Sequence, residues 1–230
     1  KTGNHRSIHN QAFYVQEEAL LGNHWVLVPG LRLDRSSANP CVASPKAGIL
    51  FKVSPRLRWR ASAGRSFRAP TLSELYMPDV SSIPGILLKS NPGLKPEHLN
   101  AYDVGGSLNE GGKLEFGVDA FFNTMQNLIS TLRSGSTMTY VNVDRVFSTG
   151  MDSSIIWRPR GGWKLSLNHT AQWVEDRSTG QILDYTPRNK GNASLSASRR
   201  FGVFLLEGSL EEFISGARYY TDSQTKRKVR

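Results

Sequence analysis

Side chains that could bind an anion are concentrated between residues 65 and 98. A guanidinium group can hold a carboxylate or phosphate by two parallel hydrogen bonds, so Arg68 is a candidate contact for an anionic molecule. The same group could instead pair with Glu74 or Glu97 and brace a loop, and we expect this structural role ahead of ligand contact. The other polar candidates in the segment are Tyr76, Lys89 and Lys95.

The residues around these candidates have the composition of a loop with fixed ends. Pro70 and Pro92 cannot donate to a strand ladder and are predicted to stop strands. Asn91 and Glu97 are interpreted as loop-fixing residues, because a side-chain amide or carboxylate can satisfy stray backbone N–H groups. Apolar packing within the loop is assigned to Phe67, Leu72, Leu75 and Tyr76. The candidate site therefore consists of Phe67, Arg68, Ala69, Pro70, Glu74, Tyr76, Lys89, Asn91, Pro92, Leu94, Lys95, Pro96 and Glu97.

Enzyme chemistry finds no support in the sequence. It contains no Gly-x-Ser-x-Gly, His-Glu-x-x-His, phosphate-binding glycine loop or Cys-x-x-Cys. Adjacent acidic residues such as Glu17 and Glu18 face opposite sides of a strand and cannot act as a pair. The lone Cys41 offers neither an internal disulfide nor a zinc site. We therefore expect no enzyme activity, no cofactor and no bound metal.

The net charge of +10 and the pI near 9.9 favour an acidic partner, such as anionic lipid, lipopolysaccharide, an anionic ligand or nucleic acid. Only Lys226-Arg227-Lys228 forms a basic run, and it is interpreted as a solvated tail. No recognisable RNA-binding or helix-turn-helix motif accompanies it, which argues against a nucleic-acid partner.

The elements that must position the candidate site are strands. Apolar residues alternate with polar ones from Lys113 to Asn123 and from Trp163 to Val174, which is the period of a β-strand. Arg56, Arg58 and Arg60 share one strand face, which suits a wet barrel interior or the solvent side of a sheet. About ten strands and no convincing helix are predicted, at residues 12–20, 24–34, 43–53, 56–66, 99–108, 113–125, 138–158, 163–175, 186–198 and 202–213.

The lengths of the connections between the predicted strands distinguish a β-barrel from a β-sandwich. Short, Gly-, Pro- and Asn-rich turns alternate with long loops predicted at residues 35–42, 67–98, 126–137 and 176–185. This alternation is typical of an antiparallel up-and-down transmembrane β-barrel, with short periplasmic turns and long extracellular loops. A soluble basic β-sandwich that binds polyanions is the alternative, although its crossings mix loop lengths at both ends. The segment 138–157 is too long for one crossing, so it either projects beyond the membrane or contains an extra hairpin near residues 144–149.

Two phrases give the chain a family resemblance. Gly64-Arg65-Ser66-Phe67-Arg68-Ala69-Pro70-Thr71-Leu72-Ser73-Glu74-Leu75-Tyr76, followed by Asn91-Pro92-Gly93-Leu94-Lys95-Pro96-Glu97, resembles the corresponding pair of motifs in TonB-dependent outer-membrane receptors. Weaker similarity extends from about residue 11 to 213. The resemblance implies a barrel of about 22 strands around an N-terminal plug, of which residues 1–230 would supply about 10–11 strands. We expect a middle-to-late fragment in which the plug and the last strands are absent.

The resemblance also implies partners and a location. Such receptors lie in the outer membrane of Gram-negative bacteria, among outer-membrane lipid and lipopolysaccharide, and are driven by TonB and its inner-membrane complex. A ferric siderophore or similar metal chelate is the expected ligand, with cobalamin as the alternative. Haem is disfavoured because residues 71–90 contain no histidine, and His98 lies just past the second phrase. A passive porin or adhesin barrel remains a further alternative.

Overall fold

The computed structural model describes residues 7–37, 41–83, 85–177, 179–183, 186–222 and 225–228. Strands dominate it, and one short helix interrupts them. In chain order the elements are β1 (Asn10–Gln16), β2 (Ala19–Leu21), β3 (Trp25–Ser36), β4 (Val42–Lys52), β5 (Leu57–Arg68), α1 (Leu72–Tyr76), β6 (Val80–Ile83), β7 (Ile86–Lys89), β8 (Glu97–Glu110), β9 (Leu114–Ser134), β10 (Thr137–Trp157), β11 (Trp163–Asp176), β12 (Gln181–Ile182), β13 (Asn189–Phe201), β14 (Phe204–Ser215), β15 (Tyr219–Asp222) and β16 (Thr225–Lys228).

Ten long strands form one open antiparallel sheet in the order β1-β3-β4-β5-β8-β9-β10-β11-β13-β14. Each long strand pairs with the next long strand along the chain, which is an up-and-down topology. The expected number of strands is therefore confirmed. The sandwich alternative is wrong, because the long strands belong to a single sheet and a sandwich requires two. In the described residues no helix has the length and apolar character to cross a membrane.

The two faces of the sheet differ in polarity. The outward face carries large aromatic side chains whose exposed fractions lie between 41 and 49%: Trp59, Tyr102, Phe122 and Trp173. On the inward face, Arg60 Nε donates to Asp119 Oδ1 at 2.8 Å, and further polar pairs join Ser62 to Asp103, Thr170 to Asp152 and Asn192 to Glu211. Few apolar residues are buried in the part of the chain that the structure describes: Val26, Leu75, Leu94, Val146 and Val174. An apolar exterior and a polar interior are the reverse of a soluble domain and fit a sheet that faces lipid.

Glycines permit the tight turns and one close contact. Gly111 and Gly112, which turn β8 into β9, have φ of 58° and 75°, a conformation that other residues rarely adopt. Within β8, a Cβ atom on Gly106 would lie 2.8 Å from the Trp59 ring. The missing side chain lets this tryptophan lie flat across the neighbouring strand.

The connection predicted as a long loop at residues 126–137 is instead a hairpin. The strands β9 and β10 continue beyond their neighbours and turn at Gly135, which has a φ of 60°. The run Leu128-Ile129-Ser130-Thr131-Leu132 contains the β-branched residues Ile129 and Thr131, which favour strands and are consistent with the extension. The extra hairpin near residues 144–149 does not form: β10 is continuous over 21 residues, longer than the 9–11 that cross a bilayer. The β9–β10 hairpin therefore projects past the sheet.

Three smaller expectations need correction. The segment between β5 and β8 contains helix α1 and the hairpin β6–β7, whose second strand pairs in parallel with the start of β10. The first predicted strand is broken at Glu17 and Glu18 into β1 and β2. The run Lys226-Arg227-Lys228 is not a free tail, because it lies in β16 and pairs with β15. Parts of the predicted loops at 35–42 and 176–185, namely 38–40, 178, 184 and 185, lie outside the described residues.

Candidate functional site

Arg68 lies between two carboxylates at the long-loop end of β5. Its Nε and Nη2 atoms donate to the two carboxylate oxygens of Glu97 on β8, at 2.7 and 2.8 Å. Its Nη1 atom donates to both oxygens of Glu74, at 3.1 and 3.2 Å. The guanidinium is 44% exposed, whereas Glu74 and Glu97 are 15% and 16% exposed. The group therefore joins the ends of β5 and β8 to the loop between them.

Helix α1 presents Glu74 to this cluster. Thr71 caps the helix through its side chain, which accepts from the Glu74 N–H at 3.2 Å, and the Glu74 carboxylate accepts in return from the Thr71 N–H at 2.7 Å. This reciprocal capping box satisfies two of the free N–H groups at the helix start. Leu75, on the same helix, is buried. The capping box explains why so short a helix forms in a segment predicted to lack one.

Asparagine side chains fasten the second phrase to the β9–β10 hairpin. The Asn91 amide donates to the Tyr140 carbonyl at 2.9 Å and its oxygen accepts from the Gly93 N–H. Asn142 bonds both the N–H and the carbonyl of Lys95, at 2.9 and 3.0 Å, and also donates to the Asn127 carbonyl at 2.7 Å. The projecting hairpin and the loop between β5 and β8 are thus one connected unit.

Glu97 and Asn127 complete this connection. The Glu97 carboxylate, besides its bonds from Arg68, accepts from the Ile129 N–H at 2.7 Å. Asn127 has a φ of 55°, which is uncommon outside glycine, and its amide reaches the Pro96 carbonyl. Asn127 and Asn142 belong to the site although they are not among its predicted residues. Asn142 falls within the region of weaker family similarity, from about residue 11 to 213, but nothing in the sequence indicates that it faces Lys95.

The cluster lies beyond the bilayer-crossing part of the strands, and its charges stabilise each other. The hydrogen bonds to Glu97 raise the pKa of Arg68. Partial burial acts in the opposite direction, and the hydrogen bonds to Glu74 add to the increase. Partial burial acts to raise the pKa of Glu97, but the bonds from Arg68 and from the Ile129 N–H outweigh it and the net pKa is lowered. Arg68 and Glu97 are therefore charged at neutral pH, and all three guanidinium nitrogens of Arg68 donate to carboxylates.

The remaining predicted residues do not converge on one point. Leu94 and Pro70 are buried, and Tyr76, Lys89, Pro92 and Lys95 are exposed. Phe67 and Ala69 line a cavity of about 300 Å³ that also includes Arg32 and Asp34. Burial, followed by the charge of Arg65, lowers the pKa of His98, and its buried Nδ1 atom has no hydrogen-bond partner among the described residues.

The inward face of the sheet offers a second polar surface. Lys46 and Arg58 point inward, and neither forms an ion pair within the described part of the chain. The Lys46 ammonium lies 5.3 Å from the Tyr14 ring centroid, a cation–π arrangement. Among the described residues no group of three His, Cys, Asp or Glu side chains is placed to hold a metal ion. The positive charges of Lys46 and Arg58 allow the inward face to attract and bind an anion.

Comparison with known proteins identifies the family. The sequence model described as "TonB dependent receptor-like, beta-barrel" matches residues 2–229. The chain therefore belongs to the TonB-dependent receptor β-barrel family, and its sheet is part of a transmembrane barrel whose long loops are extracellular. No curated protein matches the sequence.

Solved structures show the same fold. A mutant of the ferric enterobactin receptor PfeA from Pseudomonas aeruginosa matches with a TM-score of 0.76 and 22% identity, over 95% of this chain and 34% of that one. The siderophore receptor PirA from Acinetobacter baumannii matches with a TM-score of 0.76 and 15% identity, over 96% and 34%. The FrpB iron transporter from Neisseria meningitidis matches with a TM-score of 0.65 and 18% identity, over 93% and 33%. The chain spans about a third of the length of these proteins.

Proposed function

We propose that this chain is part of an outer-membrane receptor that takes up a ferric siderophore or a similar metal chelate in a Gram-negative bacterium. The observation that carries the proposal is the family match over residues 2–229. Three of the solved structures with this fold are, by name, a ferric enterobactin receptor, a siderophore receptor and an iron transporter. Uptake would be active, with TonB and its inner-membrane complex as partners, and the protein would have no enzyme activity.

Residues 1–230 are proposed to form one barrel domain that functions together with strands and a plug supplied by the rest of the receptor. Ten strands of an up-and-down sheet leave the outer edges of β1 and β14 unpaired within the described chain. Further strands at those edges would close the barrel and satisfy their backbone groups.

The inward charges support an anionic ligand. Lys46 and Arg58 have no carboxylate partner in the described residues and face the proposed passage. Unpaired cations on the wall of a narrow passage raise the local concentration of anions, such as many ferric chelates. Cobalamin is the second candidate ligand within the same family, and its uptake would depend less on the charges of Lys46 and Arg58. A passive porin or adhesin barrel would use the same sheet without TonB.

Uptake of labelled ligands by cells that express the complete protein encoded by the gene tests the proposal. We expect accumulation of radioactive iron from at least one anionic ferric chelate, and less accumulation when Lys46→Gln and Arg58→Gln are combined. Lys113→Gln, at a tight turn, is the matched control and should behave as the unaltered protein. Accumulation of labelled cobalamin and of no ferric chelate would identify cobalamin as the ligand. Unchanged iron uptake by the double variant would show that Lys46 and Arg58 do not contribute to ligand passage.

A further inference from the structure

Strand β7 pairs with an edge of β10 that lies far from β5 and β8. Residues 137–139 of β10 pair with β9 along one edge and with residues 87–89 of β7 along the other. Further along β10, residues 146–157 use this second edge to pair with β11. Because the sheet order is β5-β8-β9-β10-β11, the connection from β5 must cross β8, β9 and β10 to place β7 there, and must then return to the start of β8.

This crossing lies on the inward face of the strands. Asn142 and Asp152 are ten residues apart on β10 and share the inward face, because every second side chain of a strand points the same way. The Asn142 side chain bonds the N–H and the carbonyl of Lys95, which belongs to the connection, at 2.9 and 3.0 Å. Val146, on the same face of β10, is completely buried. The connection therefore lies over the inward wall, across part of the mouth of the proposed passage.

The connection is bonded to itself as well as to the β9–β10 hairpin. The Asn91 N–H donates to the Glu74 carbonyl at 2.8 Å and joins the returning part of the connection to helix α1. The Leu87 N–H donates to the Ser136 carbonyl at 2.8 Å, at the turn of the hairpin. We call the described residues of the connection, 69–83 and 85–96, the cover.

The cover has the properties of a fixed element. Its attachments are spread along its length: the ion pairs of Arg68 where it begins, the β7–β10 ladder in the middle, and the Asn91 amide on the Tyr140 carbonyl near its end. Leu75 and Leu94 within it are buried. Segments that open independently have few buried apolar contacts and solvent-exposed hydrogen bonds, which is the opposite pattern. By contrast, β1 and β14 are exposed along their whole length, so the cover leaves both ends of the described sheet open.

We propose that the cover and the β9–β10 hairpin form one rigid body that stays joined throughout uptake. The ligand then enters past the cover, over the strands on either side of it, and not by parting the cover from the hairpin. This inference rests on the proposed uptake of a metal chelate, and it adds which part of the extracellular surface does not open.

A disulfide between the cover and the hairpin tests the proposal in cells that express the complete protein. Leu88→Cys and Met138→Cys, in a Cys41→Ser background, face each other in the β7–β10 ladder. Paired strands lie about 4.8 Å apart, a separation that a disulfide can span. The radioactive probe is a ferric catecholate or a ferric hydroxamate, whichever the reduced variant accumulates. We expect the oxidised variant to accumulate it at the rate of the reduced one.

The matched control is Ser196→Cys with Ser209→Cys, a facing pair of β13 and β14 within the sheet itself. Loss of uptake on oxidation of the cover pair, restored by reduction and absent from the control pair, would show that the cover must part from the hairpin and would overturn the proposal. Absence of uptake of both chelates and of cobalamin by the unaltered protein would instead count against the proposed function, and the next measurement would then decide the inference.

Spin labels give a test that does not depend on uptake. Ser73→Cys on α1 and Ser134→Cys at the end of β9 are exposed positions, one on the cover and one on the hairpin. Both are labelled in the complete protein, again with Cys41→Ser, and the distance between the labels is measured by double electron–electron resonance without ligand. We expect one narrow distance distribution. A second population at longer distance would show that the two segments separate, and would contradict a single rigid body.

Discussion

Arg68 and Glu97 face each other across β5 and β8 and are joined by two parallel hydrogen bonds of 2.7 and 2.8 Å. Because Arg68 also holds Glu74 on helix α1, this pair fixes both ends of the segment between the two strands. Through Ile129, Glu97 extends the connection to the projecting β9–β10 hairpin. The two phrases that identify the family are therefore the two halves of one loop-fixing cluster.

Replacing Arg68 by glutamine should release helix α1. The variant leaves two largely buried carboxylates without a cation, so the helix amides should exchange with solvent roughly tenfold faster. Partial exposure of the guanidinium limits the effect. Hydrogen-exchange mass spectrometry of residues 71–77 measures it. Arg68→Lys should be intermediate, because lysine keeps the charge and loses the fork; exchange unchanged in both variants would contradict the bracing role.

The cluster should loosen in acid. The pKa of Glu97 is lowered from 4.5 in the folded protein, so its contribution to stability is complete above that value and is lost as the pH falls through the lowered pKa. A spin label at Ser73→Cys, in a Cys41→Ser background, reports the mobility of α1. We expect restricted motion at pH 7 and mobilisation in acid. In Glu97→Gln the label should be mobile at both pH values; a pH response retained in that variant would assign the transition to another group.

Asn142 should hold the loop to the hairpin. Asn142→Ala removes three hydrogen bonds to backbone groups of Lys95 and Asn127, which should cost about 1–3 kcal/mol of local stability. Hydrogen exchange of residues 91–97 should accelerate accordingly, while that of β11 should not change. Asn109→Ala, at a tight turn where Asn109 accepts from the Gly112 N–H, is the matched control. Acceleration of residues 91–97 in the control as well would indicate general destabilisation.

The sequence predicts most of the sheet, because alternation of polar and apolar residues sets both the strands and their faces. The failures lie where contacts between distant segments decide the structure. The segment 126–137 has the composition of a loop, but in the structure it forms the ends of two long strands that turn at Gly135. Helix α1 depends on a single capping box. At the site, Arg68, Glu74 and Glu97 could be predicted as partners from their charges. Asn127 and Asn142 could not, because their partners are backbone atoms brought together only by the strand register.

The dependence of uptake on energy distinguishes an active receptor from a passive barrel. Cells that express the complete protein would be given a radioactive ferric chelate with TonB present, with TonB deleted, or with a protonophore. We expect accumulation only when TonB is present and the proton gradient is intact. Accumulation that is equal in all three conditions would show a passive barrel and contradict active uptake by this protein.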